Sequence, residues 1–443
     1  MQHTDRRNFL KTTAGATASV NLLIRNSAGS VNDEILMGVV GIRGRGNNHI
    51  RGFDAQKNVK VVSISDIDGG LLRERKNIYK KDLGHDVKTY VDYRKMLEDP
   101  ELDAVSIATP NHWHSIMGIW ACQAGKHVYV EKPCSHNVYE GRKLVEAARK
   151  YKRIVAHGTQ SRSCEALQEA IQLIRDGEIG DVYYAKGLCY KWRNTIGHTP
   201  DGKPPRGVDY DKWQGPAPEQ PFSKNRFHYN WHWNWLYGNG DIGNQGVHEM
   251  DLARWGLDVG MPTTIQAQGG HFMFEDDQQT PNVLHATFKY PDKNKMMAFE
   301  VRHWHTNNEL GEINGADGND RNVVGCIFFG SEGYMTTHGF NRGYQVYLGE
   351  KREKGKGRRS GENHFENFIT ALRSNKQEDL NAEIIEGHIS SAHCHLANAA
   401  YRTEETLRFD PKTERITNNE KADAIIRDQD RDYRMPFTVP DEV

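Results

Sequence analysis

The chain has 443 residues, of which 37% are hydrophobic and 26% charged, so it is long enough to form two domains with buried cores. Its 58 lysines and arginines balance 59 acids, which excludes the strong net field typical of proteins that bind nucleic acid or membrane surfaces. The cysteines show no C-x-x-C pair and no regular spacing, so we predict buried or free thiols, with no disulfide framework and no structural metal. They are Cys122, Cys134, Cys164, Cys189, Cys326 and Cys394.

Residues 1–30 differ in kind from the rest of the chain. Arg6 and Arg7 precede a weakly apolar stretch over 12–24, and Ala28 and Ser30 suit a signal peptidase. This segment resembles a twin-arginine export signal, which predicts a periplasmic protein that is exported after folding. Its apolar stretch is too short and too polar to span a bilayer, so we expect no membrane insertion. The alternative is a disordered basic tail.

An apolar strand, a glycine turn and an acidic residue follow at 34–68. The strand at 35–40 is a continuous apolar run, which is typical of a parallel strand buried on both faces. Glycines after such a strand let the backbone approach a pyrophosphate, and an acid after the second strand binds a ribose 2′-hydroxyl. The stretch therefore predicts an NAD site and favours NAD over its 2′-phosphorylated relative, although Arg43 occupies the position of the middle glycine. The predicted contacts are Gly41, Arg43, Gly44, Arg45, Gly46 and Asp66.

Short apolar runs alternate with amphipathic helices over residues 31–157, which we predict to be the NAD-binding domain. Such alternation indicates right-handed crossovers and a parallel sheet covered on both faces, the Rossmann arrangement. Residues 158–443 are predicted to form the second domain. Its alternating segments predict strands at 182–190, 264–274, 282–290, 296–304, 323–329, 334–337 and 344–348. The basic run Lys351–Arg359 is interpreted as a solvated loop.

Unusual residues stand at the ends of two strands in the first half. One end reads Ala108-Thr109-Pro110-Asn111 with His114, and Ala124-Gly125-Lys126-His127-Val128 leads to the other, Glu131-Lys132-Pro133. With their spacing from the glycine turn, these motifs resemble the Gfo/Idh/MocA oxidoreductases over residues 34–410. The resemblance implies an α/β fold, in which an N-terminal Rossmann parallel sheet precedes an α/β domain whose open, mainly antiparallel sheet carries a sugar site. It is compatible with a homo-oligomer and with a cis Lys132–Pro133 bond. The implied cofactor contacts are Thr109, Asn111, His114, Glu131, Lys132 and Gln160.

Lys132 is the first predicted catalytic residue. On chemistry alone, a lysine at the mouth of a parallel sheet could donate to a substrate oxygen or relay its proton, and a surface lysine is the alternative. In the family an aspartate, followed by three residues and a histidine, assists this lysine. Here His248 is retained, but Asn244 replaces the aspartate, and an amide cannot ionise. We therefore predict catalytic roles for Lys132, His248 and Asn244, with Asp241 as a substitute carboxylate.

Residues 191–247 contain five of the nine tryptophans, and a long irregular segment of this kind is more often functional than idle. Trp231, Trp233 and Trp235 lie at every second position, so they could stack on sugar rings or form one buried face of a strand. The predicted substrate contacts are Tyr190, Arg193, Trp231, Trp233, Asp241 and His248.

The first functional hypothesis is an exported NAD-dependent oxidoreductase that acts on a ring carbinol carbon of a sugar or glycoside. Because free NAD is scarce outside the cytoplasm, we expect the cofactor to stay bound. A second hypothesis is a family branch that cleaves glycosides by oxidation, elimination and reduction, with no external oxidant. A third is a sugar-binding protein without turnover, against which the retention of Lys132 and His248 argues.

Overall fold

The computed structural model describes residues 34–311, 322–339, 343–427 and 433–443. The predicted export signal lies outside these ranges. Two sheets organise the chain, one of six strands in the first half and one of ten strands in the second. In the part of the chain that the structure describes, no helix is long and apolar enough to cross a membrane.

The first half folds into a parallel sheet flanked by helices. The strands are β1 (Ile35–Val40), β2 (Val59–Ser65), β3 (Lys88–Tyr90), β4 (Ala104–Ile107), β5 (His127–Val130) and β6 (Val155–His157). The helices are α1 (Gly44–Asp54), α2 (Gly69–Asp82), α3 (Tyr93–Leu97), α4 (Asn111–Gln123) and α5 (Val138–Lys150). The strand order is β3-β2-β1-β4-β5-β6, and every neighbouring pair is parallel. This confirms the predicted Rossmann sheet.

The continuous apolar sequence of β1 follows from its central position in this sheet. It pairs with β2 on one side and with β4 on the other, and five of its six residues are buried. The direction in which the strands are added reverses between β1 and β4. Ligands of such sheets bind in the crevice at this switch point, outside the carboxyl ends of the strands.

The second half forms a ten-stranded sheet with helices on one face. Its strands are β7 (Tyr184–Lys191), β8 (Thr264–Gly270), β9 (Val283–Tyr290), β10 (Lys295–His303), β11 (Val323–Phe329), β12 (Gly333–His338), β13 (Gly343–Leu348), β14 (Glu353–Arg358), β15 (Leu407–Asp410) and β16 (Arg415–Ile416). Its helices are α6 (Glu165–Arg175), α7 (Tyr210–Gln214), α8 (Gly240–Asn244), α9 (Gly246–Leu257), α10 (His364–Ser374), α11 (Ile384–Thr403) and α12 (Glu420–Ile426). The order is β14-β13-β12-β11-β7-β10-β9-β8-β15-β16, and only the β7–β10 pair is parallel among these described strands. The predicted open, mainly antiparallel sheet is confirmed.

Late segments of the chain complete the core of the first half. Phe368 and Ile369 of α10 belong to the apolar cluster that includes β1 and β2. Ile384, Phe437 and Val443 belong to the cluster around α4 and α5. The two halves are therefore joined by shared apolar packing, and residues far beyond 158 contribute to both cores.

The basic run Lys351–Arg359 is not a loop, and the prediction for it was wrong. Residues Glu353–Arg358 form β14, which pairs with β13 at one edge of the second sheet and is exposed along its whole length. Charged side chains on an edge strand discourage pairing with another chain. Because this edge strand buries no face, it lacks the apolar alternation by which strands such as β9 and β10 were predicted. The short strands β15 and β16 were not predicted either.

The strand alternative for the three alternating tryptophans was also wrong. Residues His228–Trp233 form a 3₁₀ helix, so Trp231 and Trp233 do not share a strand face. The six cysteines are free and buried, as predicted. Across the described ranges, no group of three or more His, Cys, Asp or Glu side chains is arranged to hold a metal ion.

Candidate active site

A cavity of about 790 Å³ lies at the carboxyl ends of the strands of the first sheet. Its volume is in the range of pockets that bind small molecules and cofactors. Residues of the glycine turn, of both strand-end motifs and of the tryptophan-rich segment line it. These include Gly41, Asp66, Asn111, Lys132 and Trp231. The fold therefore brings predicted cofactor and substrate residues, which are distant in sequence, into one site.

The glycine turn between β1 and α1 has the form that a dinucleotide requires. Gly41 has φ +79°, and its N–H donates to the carbonyl of Ser65 over 2.9 Å. A Cβ on Gly46 would lie 1.7 Å from the carbonyl oxygen of Gly41, whereas a Cβ on Gly44 would meet nothing within 4 Å. Gly41 and Gly46 are thus required by the turn itself, and Gly44 leaves open space at the N-terminus of α1, where phosphates bind.

Arg43 occupies the middle-glycine position without disturbing this turn. Its φ of −79° is ordinary for any residue, and its guanidinium donates to Asp68 over 2.6 Å. Asp68 caps α2 by accepting from the backbone N–H groups of Gly70 and Leu71. Arg43 therefore pairs with the cap of α2, and the departure from the glycine pattern leaves the backbone path intact.

Two polar side chains fit a bound NAD. Asp66 lines the cavity at the end of β2, and its oxygens accept from the N–H groups of Ile42 and Asp68 over 3.1 and 3.0 Å. Burial raises the pKa of Asp66, although these hydrogen bonds and Arg43 oppose that shift. Asn111, at the start of α4, also lines the cavity, and its buried Nδ2 has no acceptor among the described residues. A buried donor facing a cavity calls for an acceptor on a ligand.

Glu131 joins several of the predicted cofactor residues. Its Oε1 accepts from Arg45 Nε over 2.6 Å and from Gln160 Nε2 over 3.2 Å, and lies 3.0 Å from His49 Nε2. Burial alone would raise the pKa of Glu131, but the Arg45 guanidinium and the hydrogen bond with His49 hold it well below its usual range. The carboxylate is therefore charged, and its hydrogen bonds hold Glu131, the residue directly before Lys132, in place.

The strand-end motifs hold each other through His114. Its Nδ1 lies 2.6 Å from the carbonyl oxygen of Pro133, and its Nε2 lies 2.7 Å from that of Thr109. The Lys132–Pro133 peptide bond is cis, as the family resemblance allowed. His114 and Thr109 also line the cavity. The two loops on which the site depends are thus tied together by one buried ring.

Lys132 and His248 both line this cavity. The Lys132 ammonium donates to the backbone carbonyl oxygen of Asn244. Burial, together with the charges of Lys191 and Arg45, lowers the pKa of Lys132 to about 8, although the charge of Glu131 opposes this shift. Burial, followed by the charge of Lys132, holds the pKa of His248 well below its usual range. Lys132 can therefore change protonation near neutral pH, while His248 stays uncharged.

The side chain of Asn244, which also lines the cavity, contacts Asp241 and Tyr229. Its Nδ2 donates to Asp241 Oδ1 over 3.1 Å and lies 3.4 Å from the hydroxyl of Tyr229. Asp241 also accepts two hydrogen bonds from Arg193 and lies 2.6 Å from His303 Nε2. Asp241 therefore belongs to a buried ion-pair cluster, and the link between Asn244 and Lys132 runs through the main chain.

Asn244→Asp is expected to lower the melting temperature more at pH 8 than at pH 5. The new carboxyl would lie beside Asp241, whose pKa burial would raise but Arg193 and His303 hold well below its usual range. The charge of Asp241 raises the folded-state pKa of the new carboxyl above its value in the unfolded chain. The free energy of unfolding therefore falls as pH rises from the unfolded-state pKa to the folded-state pKa. We expect a loss of about 1–3 kcal/mol at pH 8, measured by thermal unfolding. Asn244→Ala, which adds no charge, is the control, and equal losses at both pH values would contradict the prediction.

Four predicted substrate contacts are placed elsewhere. Tyr190 is buried, and its hydroxyl lies 2.8 Å from Glu300 and 3.1 Å from Glu309, because successive residues of β7 point to opposite faces. Its neighbour Lys191 lines the cavity instead. Arg193 is paired with Asp241, and its guanidinium covers the buried ring of Trp233 at 4.8 Å. Tyr190, Arg193, Trp233 and Asp241 do not line the cavity. Trp231 does.

Several lining residues were missed by the sequence analysis. Tyr229, His232 and Gln245 line the cavity with Lys191, and Lys191 Nζ donates to Gln245 Oε1. No periodic signal marks Tyr229 and His232, because they lie in a 3₁₀ helix. His49, the buried partner of Glu131, could have been predicted from the sequence. It lies four residues after Arg45, a predicted cofactor contact, and therefore on the same face of α1.

Comparisons with known proteins agree with this geometry. Residues 35–159 match the model described as "Oxidoreductase family, NAD-binding Rossmann fold" of the Gfo/Idh/MocA family. Residues 182–438 match the model "Oxidoreductase family, C-terminal alpha/beta domain" of the same family. Together the two models cover most of the chain.

Individual relatives are more distant. The chain is 28% identical over 173 residues to inositol 2-dehydrogenase of Salmonella typhimurium, covering 39% of this chain and 49% of the relative. It is 27% identical over 215 residues to a glycosyl hydrolase family 109 protein of Shewanella baltica, covering 42% and 46%. It spans about half the length of the curated relatives it matches.

The fold is that of a solved structure, levoglucosan dehydrogenase in complex with NADH and levoglucosan. The TM-score is 0.64 at 16% identity, and the match covers 85% of this chain and 99% of that one. At this identity the likeness concerns the fold alone. The two family models, with the glycine turn and the Glu131-Lys132-Pro133 motif at one cavity, show that this chain belongs to the Gfo/Idh/MocA family of NAD-dependent oxidoreductases, with an NAD-binding Rossmann domain in its first half.

Proposed function

We propose that the protein oxidises or reduces a carbinol carbon of a sugar or glycoside by hydride transfer, with NAD held throughout turnover. One observation carries this proposal. The NAD-binding turn, Lys132, His248, Tyr229 and Trp231 all line the same cavity. A sugar in this cavity would share it with the cofactor and with Lys132.

The chemistry divides between cofactor and protein. NAD supplies the hydride acceptor or donor when bound. Lys132, with a pKa of about 8, takes the hydroxyl proton as a neutral amine or returns it as an ammonium. The carbonyl of Asn244 orients this amine, and Glu131 accepts from the backbone N–H of Lys132 over 3.2 Å. His248 is uncharged in this environment, so its ring can donate a hydrogen bond to the same hydroxyl, or accept one from it, without adding charge.

Two aromatic residues of the cavity suit a carbohydrate. Tyr229 and Trp231 offer aromatic faces on which the C–H face of a sugar ring can lie. Lys191, Asn244 and Gln245 line the same region, where they can bind hydroxyl groups. The named activities of relatives support a polyhydroxylated substrate, since one is an inositol dehydrogenase and one a glycosyl hydrolase family 109 protein.

The test begins with the purified protein. Denaturation should release NAD, and a panel of sugars and aryl glycosides should be followed for both NADH absorbance and released aglycone. Oxidation without aglycone release supports the proposal. Aglycone release without net NADH would assign the glycoside-cleaving reaction, which the match to the Shewanella baltica protein favours as the second candidate. Saturable sugar binding with no turnover would contradict both.

We also propose export through the twin-arginine route and a homo-oligomeric state. Light scattering of the purified protein would measure the oligomeric state.

The double change of Arg6 and Arg7 to lysine is expected to retain the precursor in the cytoplasm of a host with the twin-arginine route, because the receptor of that route recognises the paired guanidinium groups. Cell fractionation with immunoblotting measures it. Arg25→Lys, in the same segment, is the matched control, and normal periplasmic delivery of the double variant would reduce residues 1–30 to a basic tail.

A further inference from the structure

The C-terminal segment 433–443 runs from the second half of the chain onto the first. At one end Arg434 donates to the carbonyl of Gly215 over 3.0 Å and to Asp211 Oδ1 over 2.6 Å, next to α7. At the other end Tyr139, on α5, donates to Asp441 over 2.5 Å, and Val443 is buried. The segment is therefore anchored at both ends, across the boundary between the two halves.

Phe437 lies between these anchors and lines the cavity. It is 7% exposed and packs edge-on against Trp113, with ring centroids 5.3 Å apart. Trp120 is 6.5 Å away, and the guanidinium of Arg94 covers the rings of Trp120 and Phe437 at 5.9 and 5.7 Å. All four side chains line the cavity. Together they form an aromatic and cationic wall, to which the C-terminal segment contributes one ring.

The sheet order shows which end of the cavity this wall closes. Phosphates bind at the glycine turn after β1, and the adenosine ribose binds at Asp66 after β2. The next strand outward is β3, and Asp66 N donates to the carbonyl of Tyr90 at its end over 3.2 Å. Val91 and Arg94, which follow β3, line the cavity with Trp120 and Phe437. The region beyond the ribose is where an adenine base must lie, and flat aromatic and guanidinium groups suit such a base.

We propose that Phe437, held in place by the anchors at Arg434 and Asp441, closes the adenosine end of the NAD site and slows release of the cofactor. The C-terminal segment then acts as a clamp that is part of the cofactor site. This inference concerns NAD alone and is independent of the substrate proposed above.

The test measures the rate at which excess NAD displaces NADH from the full-length protein, followed by NADH fluorescence in a stopped-flow instrument. Phe437→Ala should release NADH about tenfold faster or more, as expected for loss of one ring beside a base. Arg434→Ala, which loses an anchor, should change the rate in the same direction. Met435→Ala is the matched control, because Met435 belongs to the same segment and is 62% exposed. Its release rate should equal that of the unmodified protein.

A second ligand separates a clamp on adenosine from a general loosening of the fold. Reduced nicotinamide mononucleotide lacks the adenosine half, so its affinity should be the same in Phe437→Ala and in the unmodified protein. Equal weakening for both nucleotides, or an unchanged NADH release rate, would overturn the proposal. If Phe437→Ala does not fold, Phe437→Leu keeps the apolar volume but not the ring, and the same comparison decides.

Discussion

Lys132→Ala is expected to lower the turnover number about 10²-fold or more while leaving NAD affinity nearly unchanged, because it removes the group that exchanges the hydroxyl proton. The unmodified enzyme should show opposite pH profiles for the two directions. Carbinol oxidation needs the neutral amine, so its rate should rise through pH about 8, where Lys132 loses its proton. Ketone reduction needs the ammonium, so its rate should fall over the same interval. Both profiles should be lost in Lys132→Ala.

The measurement is the turnover number from pH 6 to 10 with the substrate that the panel identifies, together with NADH titration by fluorescence. His248→Ala should also lower turnover about 10²-fold. It should leave the Lys132-dependent pH profile in place. The midpoint of that profile should move by less than about one pH unit, because a neutral ring places no charge beside Lys132. A fully active His248→Ala would remove the histidine from proton transfer, and an active Lys132→Ala would contradict the proposed mechanism.

Gly46→Ala is expected to abolish NAD binding and to destabilise the fold, whereas Gly44→Ala should leave the fold intact. A Cβ at position 46 would lie 1.7 Å from the carbonyl oxygen of Gly41, so the turn or the start of α1 must move. Overpacking of this kind costs about 1–3 kcal/mol or more. At position 44 the added methyl would meet no protein atom within 4 Å.

The matched pair separates stability from affinity. Thermal unfolding without ligand should show a lower melting temperature for Gly46→Ala and an unchanged one for Gly44→Ala. Titration with NADH should show that Gly44→Ala binds more weakly, because the methyl occupies the open space left at the helix N-terminus for phosphates. If Gly46→Ala binds NADH normally, the turn is not the cofactor cradle.

Much of this site follows from local sequence. The apolar run of β1, the glycines after it and Asp66 after β2 each obey a short-range rule of backbone or burial, and all three lie where predicted. Lys132 was assigned from the family resemblance of the motif at the end of β5, because local chemistry alone left a surface lysine as the alternative. The basic edge strand β14 and the 3₁₀ helix with Trp231 escaped prediction, because neither buries one face in a regular period.

Local sequence by itself thus determined the parallel sheet and the NAD-binding turn, because these depend on residues close together in the chain. The open antiparallel sheet and the role of Lys132 were predicted from the motifs that resemble the family. Only the tertiary structure decided which face of β7 meets the cavity, that Asn244 joins Asp241, and that Glu131 gathers Arg45, His49 and Gln160. It also brought Phe437 to Trp113, more than 300 positions earlier in the chain. Such contacts depend on how elements that are distant in the chain pack together, and no local pattern encodes that packing.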